Sequence, residues 1–169
     1  LKRIILASSM VILLFVGIAI GAFLPNISRY SNVSVFLDVN PSVEIQLDNK
    51  DRVYDCIANN SDAEVILSDM NLEGVELNTA VNAIVGSMYV NGYLTDEANS
   101  ILVGVNNNDN DLVTNVTNEI NDIFKKNNSI NCSIVGHSFK MDKNMKNKAK
   151  EWGISVSKMH LVDEIIKHN

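Results

Sequence analysis

The stretch that decides the fold is VSVFLDVNPSVEIQLDNKDRVYDCIA, Val33 to Ala58. Apolar and polar residues alternate along it with a period of two, which is typical of half-buried β-strands. Pro41 interrupts the first run, and polar residues 48–51 form a turn into a third run, Arg52 to Ala58. The pattern therefore predicts a β-meander of three strands.

The remainder of the chain alternates between strand and helix patterns. Two short apolar runs bounded by polar clusters, Ile101–Val105 and Ile130–Val135, predict strands. Apolar spacing and helix-forming composition predict helices at 77–88, 112–124, 142–152 and 157–167. We expect one domain of α/β class, an α/β sandwich built around the N-terminal β-meander.

The N-terminal segment is apolar enough to cross a membrane. Residues 4–24 carry no charge, and about 20 apolar residues span a bilayer as a helix. A cleaved signal peptide is the alternative, but its apolar region is usually shorter, about 7–15 residues. Because basic residues precede the segment, we expect 1–3 to be the cytoplasmic end of a truncated N-terminal region in the cell membrane. A linker, 25–32, then leads to the extracytoplasmic domain, 33–169.

The composition of the domain narrows the classes of ligand. Beyond Arg29 the chain has 11 basic and 20 acidic residues, a net charge of −9, which argues against nucleic acid as a partner. Cys56 and Cys132 lie in apolar runs, which favours buried free thiols over a disulfide. The histidines are scattered without a second ligand at helical spacing, so we expect no metal site and no cofactor.

The pair Asn40-Pro41 carries specific chemistry. It separates two strands where a simple hairpin would favour Asn-Gly. Asparagine usually reacts when the next backbone nitrogen attacks its side chain, but proline has no N–H, so that route is closed. What remains is attack by the Asn40 side-chain nitrogen on its own main-chain carbonyl. This forms a succinimide and releases Pro41 as a new N-terminus.

Such a cleavage needs near-attack geometry, a proton acceptor and a donor to the departing nitrogen. Asp38 and Asn40 project from the same face of a strand, so Asp38 is the nearest candidate for a base or an orienting acceptor. Ser42 is a candidate donor to the leaving nitrogen, and Glu44 is a candidate to share the role of Asp38. An unreactive turn remains the alternative interpretation of Asn40-Pro41.

The run VFLDVNPSVE, Val35 to Glu44, shortly after a membrane segment resembles the RsgI-type anti-sigma factors of Gram-positive bacteria. The similarity continues through Asp51–Val53 and through AKEWGIS, Ala149 to Ser155, so it covers essentially the whole outer domain. Val156 and Ser157 depart from the proline and glycine expected after that second motif.

The resemblance implies a relay across the membrane. The outer domain would cleave itself once between Asn40 and Pro41, without acting as a turnover enzyme, and the fragments would stay paired until a ligand or a force separates them. An intramembrane protease would then cut within the lipid bilayer and release the anti-sigma portion. The implied partners are a sigma factor, bound through the missing cytoplasmic region, and an extracellular polysaccharide, bound through a missing C-terminal module.

Two other classes of function remain open. The first is an uncleaved, membrane-anchored binding or sensor domain in which Asn40-Pro41 is only a turn. The second is an enzyme acting on cell-wall sugars through Asp38 and Glu44, but these carboxylates come from neighbouring strands with no evident cleft around them.

Overall fold

The computed structural model describes residues 30–95, 100–127 and 132–168. The cytoplasmic end 1–3, the predicted membrane helix 4–24 and the linker as far as residue 29 therefore lie outside the described residues. Within the described ranges, no helix combines the length and the apolar character needed to cross a membrane.

The predicted β-meander is confirmed. Its strands are β1, Tyr30–Asp38; β2, Ser42–Asp48; and β3, Val53–Ala58. Each strand pairs antiparallel with the next one along the chain. The turn between β2 and β3 is closed by the Asp48 side chain, which accepts hydrogen bonds from the backbone of Lys50 and Arg52 at 2.8 and 3.0 Å.

Two further strands complete the sheet of the described chain. They are β4, Ser100–Asn106, and β5, Ser133–Phe139, and the strand order is β3-β2-β1-β4-β5. β4 runs antiparallel to β1, and β5 runs parallel to β4. The predicted run 130–135 overlaps β5, which confirms the position of the strand, but β5 begins at Ser133 and continues to Phe139. Residues 130 and 131 are not described. β1 lies in the centre of the sheet, with a hydrogen-bonded neighbour on each side.

The helices in the described ranges are α1, Ser61–Leu67; α2, Leu77–Val90; α3, Asn110–Asn127; α4, Lys143–Trp152; and α5, Val156–His168. The last four confirm the sequence prediction. α1 was not predicted, because its seven residues place only Ala63 and Ile66 in the core, too few to produce a visible helical period.

The sheet separates two cores, and alternation along β1 assigns its side chains to them. Val35 and Leu37 face the larger core, beneath α1, α2 and α3, whereas Phe36 faces the smaller core with residues of α4 and α5. All three side chains are completely buried. Because Asp38 follows Phe36 by two residues, it lies on the face covered by α4 and α5.

The two cysteines are free thiols, and both are half-buried. Cys56 belongs to β3 and Cys132 directly precedes β5, so they lie at opposite edges of the sheet. Four strand spacings correspond to roughly 19 Å, whereas the Cα atoms of a disulfide lie within about 7 Å. The sheet order therefore rules out the disulfide alternative.

Candidate functional site

The turn between β1 and β2 consists of Val39, Asn40 and Pro41. The backbone N–H of Val39 donates to the Pro41 carbonyl at 2.9 Å, which closes a backbone ring with Asn40 at its apex. A bond in the opposite direction is impossible because the proline nitrogen carries no hydrogen. Asn40 is exposed and Pro41 is buried. The peptide bond between them therefore lies where the chain passes from the surface into the protein.

Asp38 lies directly beneath this turn and is only 3% exposed. Its Oδ1 accepts a hydrogen bond from Ser42 Oγ at 2.5 Å, and its Oδ2 accepts one from Ser155 Oγ at 2.6 Å. The bond to Ser42 follows from the sheet register, since Asp38 and Ser42 are direct partners across the β1–β2 ladder. A buried carboxyl group requires such partners, because an unsatisfied one would be costly.

The start of α5 forms the floor of the site. Ser155 Oγ also accepts a hydrogen bond from the backbone of Lys158 at 3.0 Å, so Ser155 caps this helix while it holds Asp38. Lys158 Nζ donates to the Val39 carbonyl at 3.0 Å and lies 3.8 Å from Asp38 Oδ1. Asp38 and Ser155, which are 117 positions apart in sequence, thus meet at this turn.

A pair of asparagines before α1 holds the other side of the turn. Asn60 Oδ1 accepts hydrogen bonds from the backbone N–H groups of Ser42 and Ala63 at 3.2 and 3.0 Å. Asn60 Nδ2 donates to Asn40 Oδ1 at 2.7 Å. The Asn59 backbone donates to the Ser42 carbonyl at 2.9 Å, and Asn59 Nδ2 lies 3.4 Å from Ser42 Oγ. Both flanks of the Asn40–Pro41 bond are therefore anchored.

The structure brings most of the predicted site residues together. Asp38, Asn40, Pro41 and Ser42 share the turn, while Glu44 lies on the same sheet face but further along β2, opposite Phe36. Glu44 Oε1 accepts hydrogen bonds from Ser34 Oγ at 2.8 Å and from Gln46 Nε2 at 3.2 Å. A role for Glu44 in the reaction stays a prediction that this geometry does not favour.

Sequence reasoning missed four residues of the site: Asn59, Asn60, Ser155 and Lys158. Asn60 had a local signal, because asparagine followed by Ser61-Asp62 is a typical helix start. Ser155 lies inside the second motif of the resemblance, but nothing there indicated a contact with Asp38. Lys158 carries no local signal at all.

Other kinds of site find no support near the turn. In the ranges that the structure describes, no group of three or more His, Cys, Asp or Glu residues is arranged to hold a metal ion. A groove of about 520 Å³ lies elsewhere, between the β2–β3 turn and α3, with Arg52, Glu76 and Glu119 in its lining. Asp38, buried beneath its hydrogen-bond partners, does not face that groove.

The fold and the Asn-Pro turn define a class of protein. Residues 32–164 match the anti-sigma factor RsgI-like central domain, and the chain belongs to this family, as the two motifs indicated. Anti-sigma-I factor RsgI7 of Acetivibrio thermocellus is 26% identical over 170 residues, which cover 98% of this chain and 30% of that protein. Anti-sigma-I factor RsgI9 of the same organism is 37% identical over 82 residues, 48% of this chain and 11% of that protein. The chain thus spans less than a third of the length of either relative.

Proposed function

We propose that this domain is the self-cleaving extracytoplasmic part of a membrane-anchored anti-sigma factor, and that it breaks its own backbone once between Asn40 and Pro41. The observation that carries the proposal is the turn itself. It places an asparagine at the apex, with its side-chain oxygen held by Asn60 at 2.7 Å and its neighbours Val39 and Ser42 fixed by hydrogen bonds.

In the proposed reaction, Asn40 Nδ2 attacks the Asn40 carbonyl carbon. A new C–N bond closes the succinimide, the C–N bond to Pro41 breaks, and one proton is transferred in net from Nδ2 to the proline nitrogen. Water is not consumed in the cleavage, and it later opens the succinimide. The reaction is a single turnover, because the nucleophile is used up.

Ser42 is the residue that we propose to move a proton to the leaving nitrogen. Ser42 directly follows Pro41, and its hydroxyl lies between Asp38 Oδ1 at 2.5 Å and Asn59 Nδ2 at 3.4 Å. In our proposal Asp38 orients this hydroxyl, and Ser42 relays a proton towards the departing nitrogen. Asp38 would therefore act through Ser42, since its oxygens are directed to Ser42 and Ser155.

The position of β1 supports fragments that stay together after the cut. β1 would remain with the N-terminal fragment, yet it pairs with β2 on one side and β4 on the other. Its Val35, Phe36 and Leu37 are completely buried, and each such side chain contributes about 1.5–3 kcal/mol. Separation would require a central strand to leave both ladders, which a ligand or a mechanical force could drive.

The remaining steps of the proposal are those that the resemblance to the family implies. The N-terminus would lie in the cytoplasm and the domain outside the cell membrane. Release of the C-terminal fragment would leave a short stub for an intramembrane protease, and proteolysis would free the anti-sigma portion from the bilayer. A sigma factor and an extracellular polysaccharide would be bound by other regions of the whole protein.

The deciding experiment is intact-mass spectrometry of the purified, folded chain after denaturation, with no protease present. We expect two masses, with a new N-terminus at Pro41, and a single uncut mass for Asn40→Ala. One uncut mass from folded wild-type protein would contradict self-cleavage. The uncleaved binding or sensor domain would then become the better proposal.

A further inference from the structure

Asn60 holds the side chain of Asn40, and its contacts allow only one orientation of its own amide. Its oxygen faces the backbone N–H groups of Ser42 and Ala63, at 3.2 and 3.0 Å. An N–H group can only donate, so a flipped Asn60 would lose both bonds. The nitrogen of Asn60 must therefore point towards the turn, where Asn40 Oδ1 accepts its hydrogen bond at 2.7 Å.

The same argument fixes the orientation of Asn40. Because a donor from Asn60 faces the turn, the Asn40 amide presents its oxygen to Asn60. The reactive Nδ2 of Asn40 is then on the side of the amide that faces away from Asn60. An unrestrained asparagine in an exposed turn would rotate between both orientations, and only some of its conformations would be competent to attack.

The hydrogen bond to Oδ1 also affects the reactivity of Nδ2. An amide nitrogen becomes a useful nucleophile as it loses a proton, and the resulting negative charge collects on the amide oxygen. A donor already placed at that oxygen stabilises the charge as it develops, as donors in an oxyanion hole do. From these contacts we propose that Asn60 is a positioning residue for the cleavage, which orients the Asn40 carboxamide and stabilises its deprotonated form. This inference rests on the proposed self-cleavage.

Asn60 can hold this geometry because its own contacts keep it in place. It is the N-cap residue of α1, and that helix is anchored by Ala63 and Ile66, which are 0% and 2% exposed. Its bond to the Ser42 backbone connects the cap to the residue that follows the leaving group. The Asn60 side chain therefore holds the attacking Asn40 amide and the Ser42 backbone together, on either side of the bond to be cleaved.

The test is Asn60→Asp in the full chain, made by cell-free translation and followed by pulse-labelling. Aspartate keeps an oxygen for both backbone donors and is an equally good N-cap, but it replaces the donor to Asn40 with an acceptor. We expect cleavage to slow by about a hundredfold to a thousandfold. Protonation would let the carboxyl group donate again, but the two backbone N–H bonds hold its pKa below the ordinary value of about 3.9, so the difference from wild type should shrink only well below pH 4.

Two controls separate this effect from a loss of stability. Asn40→Ala and the double variant Asn40→Ala/Asn60→Asp, both uncut, should unfold at similar denaturant concentrations. Asp142→Ala removes the equivalent cap of α4, where Asp142 Oδ1 accepts from the Met145 backbone at 2.8 Å, and should leave the cleavage rate unchanged.

The outcomes distinguish this inference from the proposed function. If wild-type protein stays uncut, self-cleavage itself fails and the role of Asn60 fails with it. If wild type cleaves and folded Asn60→Asp cleaves equally fast, only the role of Asn60 is overturned. The same conclusion follows if Asp142→Ala slows cleavage as much as Asn60→Asp does, or if the rate difference does not shrink well below pH 4.

Discussion

Asp38 places a carboxyl group in the protein interior, where two serine hydroxyls and Lys158 surround it. In Asp38→Asn, one serine would face an NH₂ group in place of an acceptor, and Lys158 would lose its counter-ion. We expect the free energy of unfolding to fall by about 1–3 kcal/mol, measured by chemical denaturation in the Asn40→Ala background. In the single variant Asp38→Asn, which keeps Asn40, cleavage should also slow.

Glu44→Gln is the matched control for this prediction, since it makes the same chemical change on the same sheet face. The glutamine oxygen can still accept from Ser34, and Glu44 is only partly buried. The expected change is within about 0.5 kcal/mol. Equal losses for the two variants would show that the environment of Asp38 has no special importance.

The thiol of Cys56 gives a second prediction for a single residue. Burial, and then the nearby Asp55 carboxylate, raises the pKa of Cys56 from its ordinary value of 9.0 to about 12. Only the thiolate reacts. At pH 8 the higher pKa lowers the fraction of Cys56 present as thiolate by about a thousandfold. Alkylation with iodoacetamide should be slow in the native protein and fast in denaturant. Rapid native alkylation of Cys56, identified by peptide mapping, would contradict this environment.

At the scale of elements, the close approach of α5 to β4 holds the floor of the site. A Cβ atom added to Gly104 of β4 would lie 2.7 Å from Ser157 Cβ and also meet Ser157 Oγ. Ser157 is completely buried at this crossing. Gly104→Ala should therefore displace α5, with a loss of about 1–3 kcal/mol in unfolding free energy. Because α5 begins beside Ser155 and carries Lys158, cleavage should slow as well.

Gly86→Ala is the control for Gly104→Ala. Gly86 lies within α2, where an added Cβ would meet nothing within 4 Å. Alanine is the better helix former, so this variant should be unchanged or more stable by up to about 1 kcal/mol. If thermal unfolding and cleavage respond alike in both variants, the contact between α5 and β4 does not control the site.

At the scale of the whole molecule, the central position of β1 predicts a long-lived complex of the two fragments. The cleaved protein should elute as one species in native size-exclusion chromatography and as two in denaturant. Leu37→Ala, at a completely buried position of β1, should weaken the complex by about 2–5 kcal/mol. Exchange of the N-terminal fragment, the stub, with a labelled copy of the same fragment should therefore become faster.

The control for Leu37→Ala is Val90→Ala, since Val90 is 82% exposed at the end of α2. It should leave stub exchange unaffected. Spontaneous separation of wild-type fragments within minutes would contradict a relay that waits for a signal.

The sequence alone determined the features that depend on neighbouring residues. Alternation along 33–58 was enough for the β-meander, and helical spacing was enough for α2 and α3, because a period reports directly which side chains face a core. The reactivity expected of Asn40-Pro41 is also local, since it depends on the missing proline N–H.

Only the tertiary structure decided what surrounds that bond. The contacts of Asp38 with Ser155 and of Val39 with Lys158 join residues 117 and 119 positions apart, and no periodic pattern records such a pairing. The central place of β1 likewise depends on its pairing with β4, which lies beyond α1 and α2 in the chain. Local chemistry could therefore be read from the chain, whereas the geometry that would make it proceed depends on contacts that form only on folding.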